Sequence, residues 1–151
     1  MKTKSLVVVA TNSGCNLAYC TFRNLGYSIS AWYSVEADPN CRAVTDQIIP
    51  SEELIHVKSP GGQHDTTKTT RFFDSVHADF FLDTSPCQPF SRLQKHPKGF
   101  KDPRAKPLLA AAEILSNCHR EDSQGLYTAE NARPPEVDGH HSLGAQPLRF
   151  G

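Results

Sequence analysis

The hydrophobic positions of this chain fall into short runs that polar and glycine-rich stretches separate. Each run has four to seven residues and is rich in β-branched and aromatic side chains, a pattern typical of strands. The run from Ile29 to Val35 alternates and contains Trp32 and Tyr33, whereas the first run is apolar almost throughout. The predicted strands are residues 5–10, 29–35, 54–57, 78–82 and 126–129.

Helical patterns occupy several of the stretches between these runs. Gly26 is placed to end the first helix, because glycine readily adopts the left-handed conformation that closes many helices. Asp38 precedes a proline and is placed to cap the second helix. The predicted helical segments are residues 16–25, 39–44, a turn at 71–76, and 108–118.

The order of these segments predicts the fold class. Strands that alternate with helices favour an α/β fold with a parallel sheet and helices on both faces. In such a fold, ligands bind beside the carboxyl ends of the strands. Gly14, Glu36, Cys87 and Glu130 all lie at or just beyond predicted strand ends. We therefore expect these four residues to share one edge of the sheet.

The length and composition favour a single intracellular domain. A chain of 151 residues, 38% hydrophobic and 21% charged, is long enough to bury a core. No apolar run approaches the ~18 residues that cross a bilayer. The short apolar stretch after Lys4 leads directly into residues 11–14, and we interpret it as a strand rather than as a signal peptide. We expect a cytoplasmic or nuclear protein without a membrane segment.

Charge and cysteine usage argue against several kinds of partner and site. Sixteen basic and sixteen acidic residues cancel, whereas a chain that binds DNA on its own usually has a basic surplus. Five irregularly spaced cysteines, without a Cys-x-x-Cys pair, predict neither a disulfide framework nor a structural zinc site. We expect no bound metal. Basic side chains do cluster in one predicted loop, at Arg92, Lys95, His96, Lys98, Lys101, Arg104 and Lys106.

The strongest chemical signal is the segment Ser-Pro-Cys-Gln-Pro-Phe-Ser at residues 85–91. A lone cysteine is more often an inert small hydrophobe than a nucleophile. Here two prolines flank Cys87 in a loop after an apolar strand, and such a stiff loop exposes a thiol in a fixed geometry. The segment resembles the catalytic loop of the cytosine-C5 DNA methyltransferases nearly letter for letter.

Further motifs extend this resemblance over most of residues 6–131. Glu130 and Asn131 follow the fifth predicted strand and resemble the family's Glu-Asn-Val motif, with Ala in place of Val. Residues 99–104 resemble the segment that follows the catalytic loop. Upstream, Leu25-Gly26 and Glu36 resemble the first two cofactor motifs.

The resemblance implies a Rossmann-like S-adenosylmethionine-dependent methyltransferase sheet. Residues 1–133 would form its core, with a cofactor half of about 1–57 and a catalytic half of about 78–133, and residues 134–151 an irregular tail. The implied cofactor-binding residues are Ser13, Gly14, Glu36, Ala37 and Pro86. The implied catalytic residues are Cys87, Glu130 and Arg149, the last from a faint match to a Gln-x-Arg-x-Arg motif.

The same resemblance implies the chemistry. The substrate is a cytosine flipped out of duplex DNA, and the methyl donor is S-adenosylmethionine. Cys87 as thiolate would attack C6 of the ring, while Glu130 would hydrogen-bond N3 and the exocyclic amine. C5 then becomes nucleophilic enough to take the methyl group, and loss of the C5 proton and of Cys87 completes the cycle.

Departures from the family pattern leave more than one function open. Asn12 stands where the family has a phenylalanine that faces the cofactor, Asn16 and Leu17 stand where many members have glycine, and His56 stands near the place of an aspartate. No target-recognition region or final cofactor motif follows residue 151, so we expect a C-terminally truncated member. One alternative is an active enzyme whose target recognition comes from a partner chain. Another is an inactive paralogue or fragment that acts as a binding or regulatory protein. A third and weaker alternative is an unrelated Rossmann-like domain with a redox cysteine.

Overall fold

The computed structural model describes residues 5–86, 88–90, 98–118 and 127–129. Within these residues the chain forms one five-stranded sheet in which every neighbouring pair of strands is parallel. The strands are β1 (Ser5–Thr11), β2 (Ser28–Val35), β3 (Leu54–His56), β4 (Phe80–Asp83) and β5 (Tyr127–Ala129). The α-helices are α1 (Ala18–Asn24), α2 (Pro39–Ile48) and α3 (Lys106–Cys118). The strand order is β3-β2-β1-β4-β5, and the predicted α/β class with a parallel sheet is confirmed.

Alternate side chains of the central strand β1 divide between two apolar layers. Val9 points into the layer under α3, whereas Val8 and Ala10 point into the layer under α1, so helices cover both faces. The α3 layer comprises Val9, Val35, Val57, Phe73, Ala78, Phe81, Ala111, Ile114 and Cys118. The α1 layer comprises Val8, Ala10, Tyr19, Ile29, Trp32 and Ile49.

One extra residue interrupts the alternation in β2. Leu6 pairs with Ile29, but the next residue of β1 pairs with Ala31, so Ser30 forms a bulge. Because strand side chains alternate with a period of two, the bulge brings Ile29 and Trp32 to the same face. The prediction of regular alternation through this strand is therefore wrong at Ser30.

Gly26 closes the first helix, as predicted, but the helix begins at Ala18 and not at residue 16. Gly26 has φ +85, and its amide donates to the carbonyl of Arg23 at 3.0 Å. The amide of Tyr27 donates to the carbonyl of Phe22 at 3.1 Å, and the two rings pack with centroids 5.8 Å apart. These bonds and this contact form a Schellman motif, which requires a left-handed residue at the glycine position.

The second helix begins as predicted but ends later. The Asp38 side chain accepts a hydrogen bond from the amide of Asn40 at 2.8 Å, and Pro39 occupies the first turn. The helix continues to Ile48 instead of ending at residue 44. Thr45 is fully buried, and Ile48 packs against the α1 layer, so tertiary contacts extend a helix that the polar sequence does not favour.

The connection from β3 to β4 contains two 3₁₀ helices and no α-helix. These are Thr66–Lys68 and Thr70–Ser75, and Phe73 from the second is fully buried beneath α3. None of the helices in the described ranges is long and apolar enough to cross a membrane.

Candidate active site

The loops that follow β1, β2 and β4 meet at one edge of the sheet. β1 lies between β2 and β4, and all three strands are parallel, so their carboxyl ends lie side by side. The chain leaves β1 for α1 on one face, and α3 packs on the other. A point where the connections diverge in this way is where open parallel sheets bind ligands.

The loop after β1 turns through three left-handed residues. Asn12, Gly14 and Asn16 have φ values of 50, 54 and 54. Glycine adopts this conformation without strain, and asparagine tolerates it because its short amide forms local hydrogen bonds. Apart from Gly14 and its two chain neighbours, none of the described residues has a heavy atom within 4 Å of the point where a Cβ on Gly14 would stand. The backbone at Gly14 is therefore open to a close approach.

The predicted partners Gly14 and Glu36 are in direct contact. The amide of Gly14 donates to Glu36 Oε2 at 2.7 Å, and the amide of Asp38 donates to Oε1 at 2.8 Å. The Arg42 guanidinium donates to the carbonyls of Glu36 at 2.8 Å and Ala37 at 2.7 Å. A carboxylate can accept about four hydrogen bonds, so Glu36 keeps capacity for a ligand hydroxyl.

Asn16 is a buried polar centre beneath this loop. Its Nδ2 donates to the hydroxyls of Ser34 and Thr45, each at 3.0 Å, and its Oδ1 accepts from the Trp32 indole at 2.8 Å. The predicted residue Ser13 also reaches Ser34, with 3.1 Å between the two hydroxyl oxygens. In the sequence, Asn16 stands out only as a departure from glycine. A buried tryptophan needs an acceptor for its N–H, and this requirement was the available signal.

Asn12 joins the loop after β1 to the loop after β4. Its Nδ2 donates to Asp83 Oδ1 at 2.9 Å and to Ser85 Oγ at 2.7 Å, and its Oδ1 accepts from Thr66 Oγ1 at 2.9 Å. Thr84 Oγ1 donates to the Asn12 carbonyl. The side chain expected in place of a cofactor-facing phenylalanine is thus fully engaged in hydrogen bonds to the protein.

Asp83 at the end of β4 is buried and unevenly bonded. Its Oδ1 accepts from Thr11 Oγ1, Asn12 Nδ2 and Ser85 Oγ, each at 2.9 Å. Its Oδ2 is buried and has no hydrogen-bond partner in the described part of the chain. An unpaired buried oxygen is unusual, and no motif in the sequence pointed to Asp83.

A groove of about 670 Å³ opens beside these groups. It runs between α1 and the ends of β1 and β4, with Leu17, Ala18 and Leu82 contributing apolar surface. Its polar lining includes Ser13, Asn16 and Asp83. The groove combines an apolar floor with a few fixed polar groups, the composition typical of small-molecule sites.

The residues on the two sides of Cys87 differ in burial. Pro86 is exposed, whereas Pro89 and Phe90 are buried. The Phe90 ring packs against Phe100, with centroids 4.9 Å apart. The resembling segment from residue 99 to 104 therefore packs against the end of the predicted catalytic loop.

Two other cysteines are poor candidates for a nucleophile. A hydrogen bond with Cys15 and, to a smaller extent, burial raise the pKa of Cys41 to about 11. Burial raises the pKa of Cys118 to about 11. Both thiols are therefore protonated near neutral pH, and the thiolate is the reactive form.

His56 ends β3 and lies opposite Ser34 of β2 in the sheet. Its Nε2 lies 2.8 Å from Asp46 Oδ1, and its ring packs against His64 with centroids 6.0 Å apart. Burial, together with the charges of Arg42 and Lys58, lowers the pKa of His64. The position where the family has an aspartate is occupied here by a histidine that pairs with an acid on α2.

The structure bears on part of the predicted site. Ser13, Gly14, Glu36 and Ala37 share the carboxyl edge, and Pro86 follows Ser85 in the loop bonded to Asn12. The predicted catalytic residues Cys87, Glu130 and Arg149 lie outside the described residues, as do the tail at 134–151 and residues 92–96 of the basic run.

Comparison with models of known protein families and with curated proteins gives no match for this chain.

Proposed function

We propose that the chain is an S-adenosylmethionine-dependent DNA cytosine-5 methyltransferase whose site lies at the carboxyl edge of the sheet. The Ser-Pro-Cys-Gln-Pro-Phe-Ser segment supplies the chemistry. The structural observation that supports the proposal best is the bond network from Asn12 to Asp83 and Ser85, which ties the glycine loop to the loop entering Cys87. A cofactor loop and a nucleophile loop must lie side by side for methyl transfer between their ligands.

The finer fold assignment is part of this proposal. The order β3-β2-β1-β4-β5 agrees with the first five strands of the doubly wound order 3-2-1-4-5-6. A carboxylate at the end of the second strand is also where such folds bind ribose hydroxyls. Glu36 occupies that position.

The donor set at this edge suits S-adenosylmethionine, which would supply the methyl group. Glu36 would accept from the ribose hydroxyls, and the open backbone at Gly14 would allow close approach. The groove of about 670 Å³ lies within the ~300–1,000 Å³ typical of small-molecule sites. Ser13 and Pro86 would bound the cofactor on the β1 and β4 sides.

The chain's own residues would carry the chemistry on the base. Cys87 would form a bond to C6 of a flipped cytosine and leave again by elimination after the C5 proton is lost. Glu130 would hold N3 and the exocyclic amine. Pro86 and the bonded Ser85 would limit the backbone freedom of the loop that leads into the nucleophile.

Asn12 favours a second candidate function, a binding protein without catalysis. Its amide is turned into the protein network, so an apolar contact expected from the family pattern is missing. Such a contact is worth ~1.5–3 kcal/mol when fully buried. Weakened cofactor binding would leave a fold that binds DNA or a partner chain.

Trapping on a duplex that contains 5-fluorocytosine tests the proposal. With S-adenosylmethionine present, we expect a denaturation-stable adduct with the wild type, none with Cys87→Ala, and an undiminished adduct with the matched control Cys41→Ala. The absence of an adduct with the wild type, or an adduct that survives Cys87→Ala, would contradict the proposal. Cofactor or DNA binding in calorimetry without an adduct would support the second candidate.

A further inference from the structure

A second cleft, of about 590 Å³, lies in the connection between β3 and β4. Lys58, Lys68 and Arg71 bring three positive charges to its walls, and Thr67 and Thr70 add hydroxyl-bearing side chains. None of the described residues that line it is acidic. The cleft therefore offers an anionic ligand charge and hydrogen-bond donors together.

Two of the three cations are available to a ligand. Among the described residues, Lys58 and Arg71 form no ion pair, and both are exposed. Lys68 lies 3.8 Å from the carboxylate of Asp65 and is partly neutralised. Residues 58–72 contain three Lys or Arg and one acid, in a chain whose total charge is zero. The positive charge is thus local.

One cation of the cleft, Lys58, also acts on the neighbouring His64. After burial, the positive charges of Arg42 and Lys58 are among the causes that lower the pKa of His64. A positive potential that disfavours a further cation favours an anion at the same place.

The cleft adjoins the candidate active site. Thr66, the first residue of the 3₁₀ helix, donates its hydroxyl to Asn12 Oδ1 at 2.9 Å, and the next residue, Thr67, lines the cleft. Phe72 also lines it, is 43% exposed and packs against Tyr33, with ring centroids 6.0 Å apart. An exposed ring beside cations is the combination that binds bases and phosphates of nucleic acids.

We propose that this cleft binds the phosphodiester backbone of a nucleic acid. Lys58 and Arg71 contact phosphates, and Phe72 contacts a sugar or base. An open cleft with cations on long side chains suits successive phosphates of a polymer, whereas a single phosphate ion favours fixed, converging donors. The choice of DNA as the nucleic acid rests on the proposed function.

The salt dependence of DNA binding tests this proposal. Binding of a short duplex is measured by fluorescence anisotropy at several salt concentrations, beginning near 0.01 M, where screening is weak. The protein carries Cys87→Ala and no cofactor is added, so the result does not depend on methyl transfer. The variants are Lys58→Gln, Arg71→Gln and the rescue variant Lys58→Arg. Arg23→Gln is the matched control, since Arg23 lies on α1, on the opposite face of the sheet.

A plot of log K against log salt has a negative slope, and loss of one phosphate contact reduces the magnitude of that slope by about 0.9 for a duplex. We expect this decrease in Lys58→Gln and Arg71→Gln, about twice that decrease in the double variant, and wild-type slopes in Lys58→Arg and Arg23→Gln. Unchanged slopes in the two cleft variants, or an equal decrease in Arg23→Gln, would overturn the proposal. Thermal stabilisation by inorganic phosphate that needs Lys58 and Arg71, without any DNA binding, would also overturn it. Cleft-dependent DNA binding without a 5-fluorocytosine adduct would leave this inference standing and reject the proposed function.

Discussion

Two buried polar groups hold the loop after β1, and they are satisfied to different degrees. Asn16 donates to Ser34 and Thr45 and accepts from Trp32, so both ends of its amide are used. Asp83 receives three donors on Oδ1, while Oδ2 has no partner among the described residues. A buried polar group without a partner costs free energy. Both ends of the Asn16 amide are therefore satisfied by hydrogen bonds. Asp83, beside the predicted catalytic loop, still has one carboxylate oxygen that can accept a hydrogen bond.

Removing the Asn16 amide gives the largest expected loss of stability. In Asn16→Ala, the buried Trp32 N–H loses its acceptor, two buried hydroxyls lose their donor, and alanine must adopt a left-handed backbone. We expect unfolding in urea to show a loss of at least about 3 kcal/mol, from ~1–3 kcal/mol for each unsatisfied buried group.

Asn117→Ala is the control for that measurement, because Asn117 bonds to Asp74 at the surface. Its loss should stay within about 0.5 kcal/mol. Equal losses in the two variants would show that Asn16 does not have the supporting role assigned to it.

Replacing the unevenly bonded group separates stability from activity. Asp83→Asn keeps an acceptor oxygen at the place of Oδ1, but the three hydrogen bonds to it become weaker because the oxygen is no longer charged. The amide N–H₂ takes the place of the buried Oδ2, where it has no acceptor. We expect a stability loss of about 1 kcal/mol. The rate of 5-fluorocytosine adduct formation should fall about tenfold or more, since a 1 Å misplacement of reacting groups can cost ~100-fold.

Asp79→Asn provides the comparison for Asp83→Asn. Asp79 accepts from the amide of Val7 at 3.0 Å, at the amino end of the same strand and away from the candidate site. This variant should lose stability but form the adduct at the wild-type rate. An adduct rate that falls equally in both variants would assign Asp83 a purely structural role.

The smallest expected effect lies at His64, outside both networks. Its folded-state pKa is lowered, so the unfolded chain takes up a proton at a higher pH than the folded chain. Stability is therefore complete above the unfolded pKa of ~6.5 and decreases as the pH falls below it. We expect a lower thermal midpoint at about pH 5.5 than at about pH 7.5, and a smaller difference in His64→Gln. The exposed His77 supplies the control His77→Gln, which should leave the difference unchanged.

Local sequence signals predicted most of the elements that build the candidate site. The end of the first helix followed from Gly26 and the start of the second from Asp38. The contact of Gly14 with Glu36 followed from parallel strands that share an edge. The 3₁₀ helices between β3 and β4 were harder to predict, because this segment is mostly polar. The second of them is fixed by a tertiary contact, the burial of Phe73 beneath α3.

The polar networks could not be predicted from local pattern. Asn12 and Ser85 are 73 residues apart in the chain, and Asn16 and Thr45 are 29 apart. Hydrogen bonds over such separations depend on the final arrangement of the strands. The same applies to Asp83, whose partners are known only once β4 lies beside β1.

The bulge in β2 has a consequence for how the length of this strand can change. Ser30 adds one residue, and its hydroxyl donates to the carbonyl of Leu6 at 3.1 Å. Deleting Ser30 would move the β2 side chains on one side of the deletion to the opposite face of the sheet. Trp32 would then point toward α3, or Glu36 would move away from Gly14. Insertions or deletions of two residues would preserve sidedness, so even and odd changes in the length of β2 have different consequences for the core.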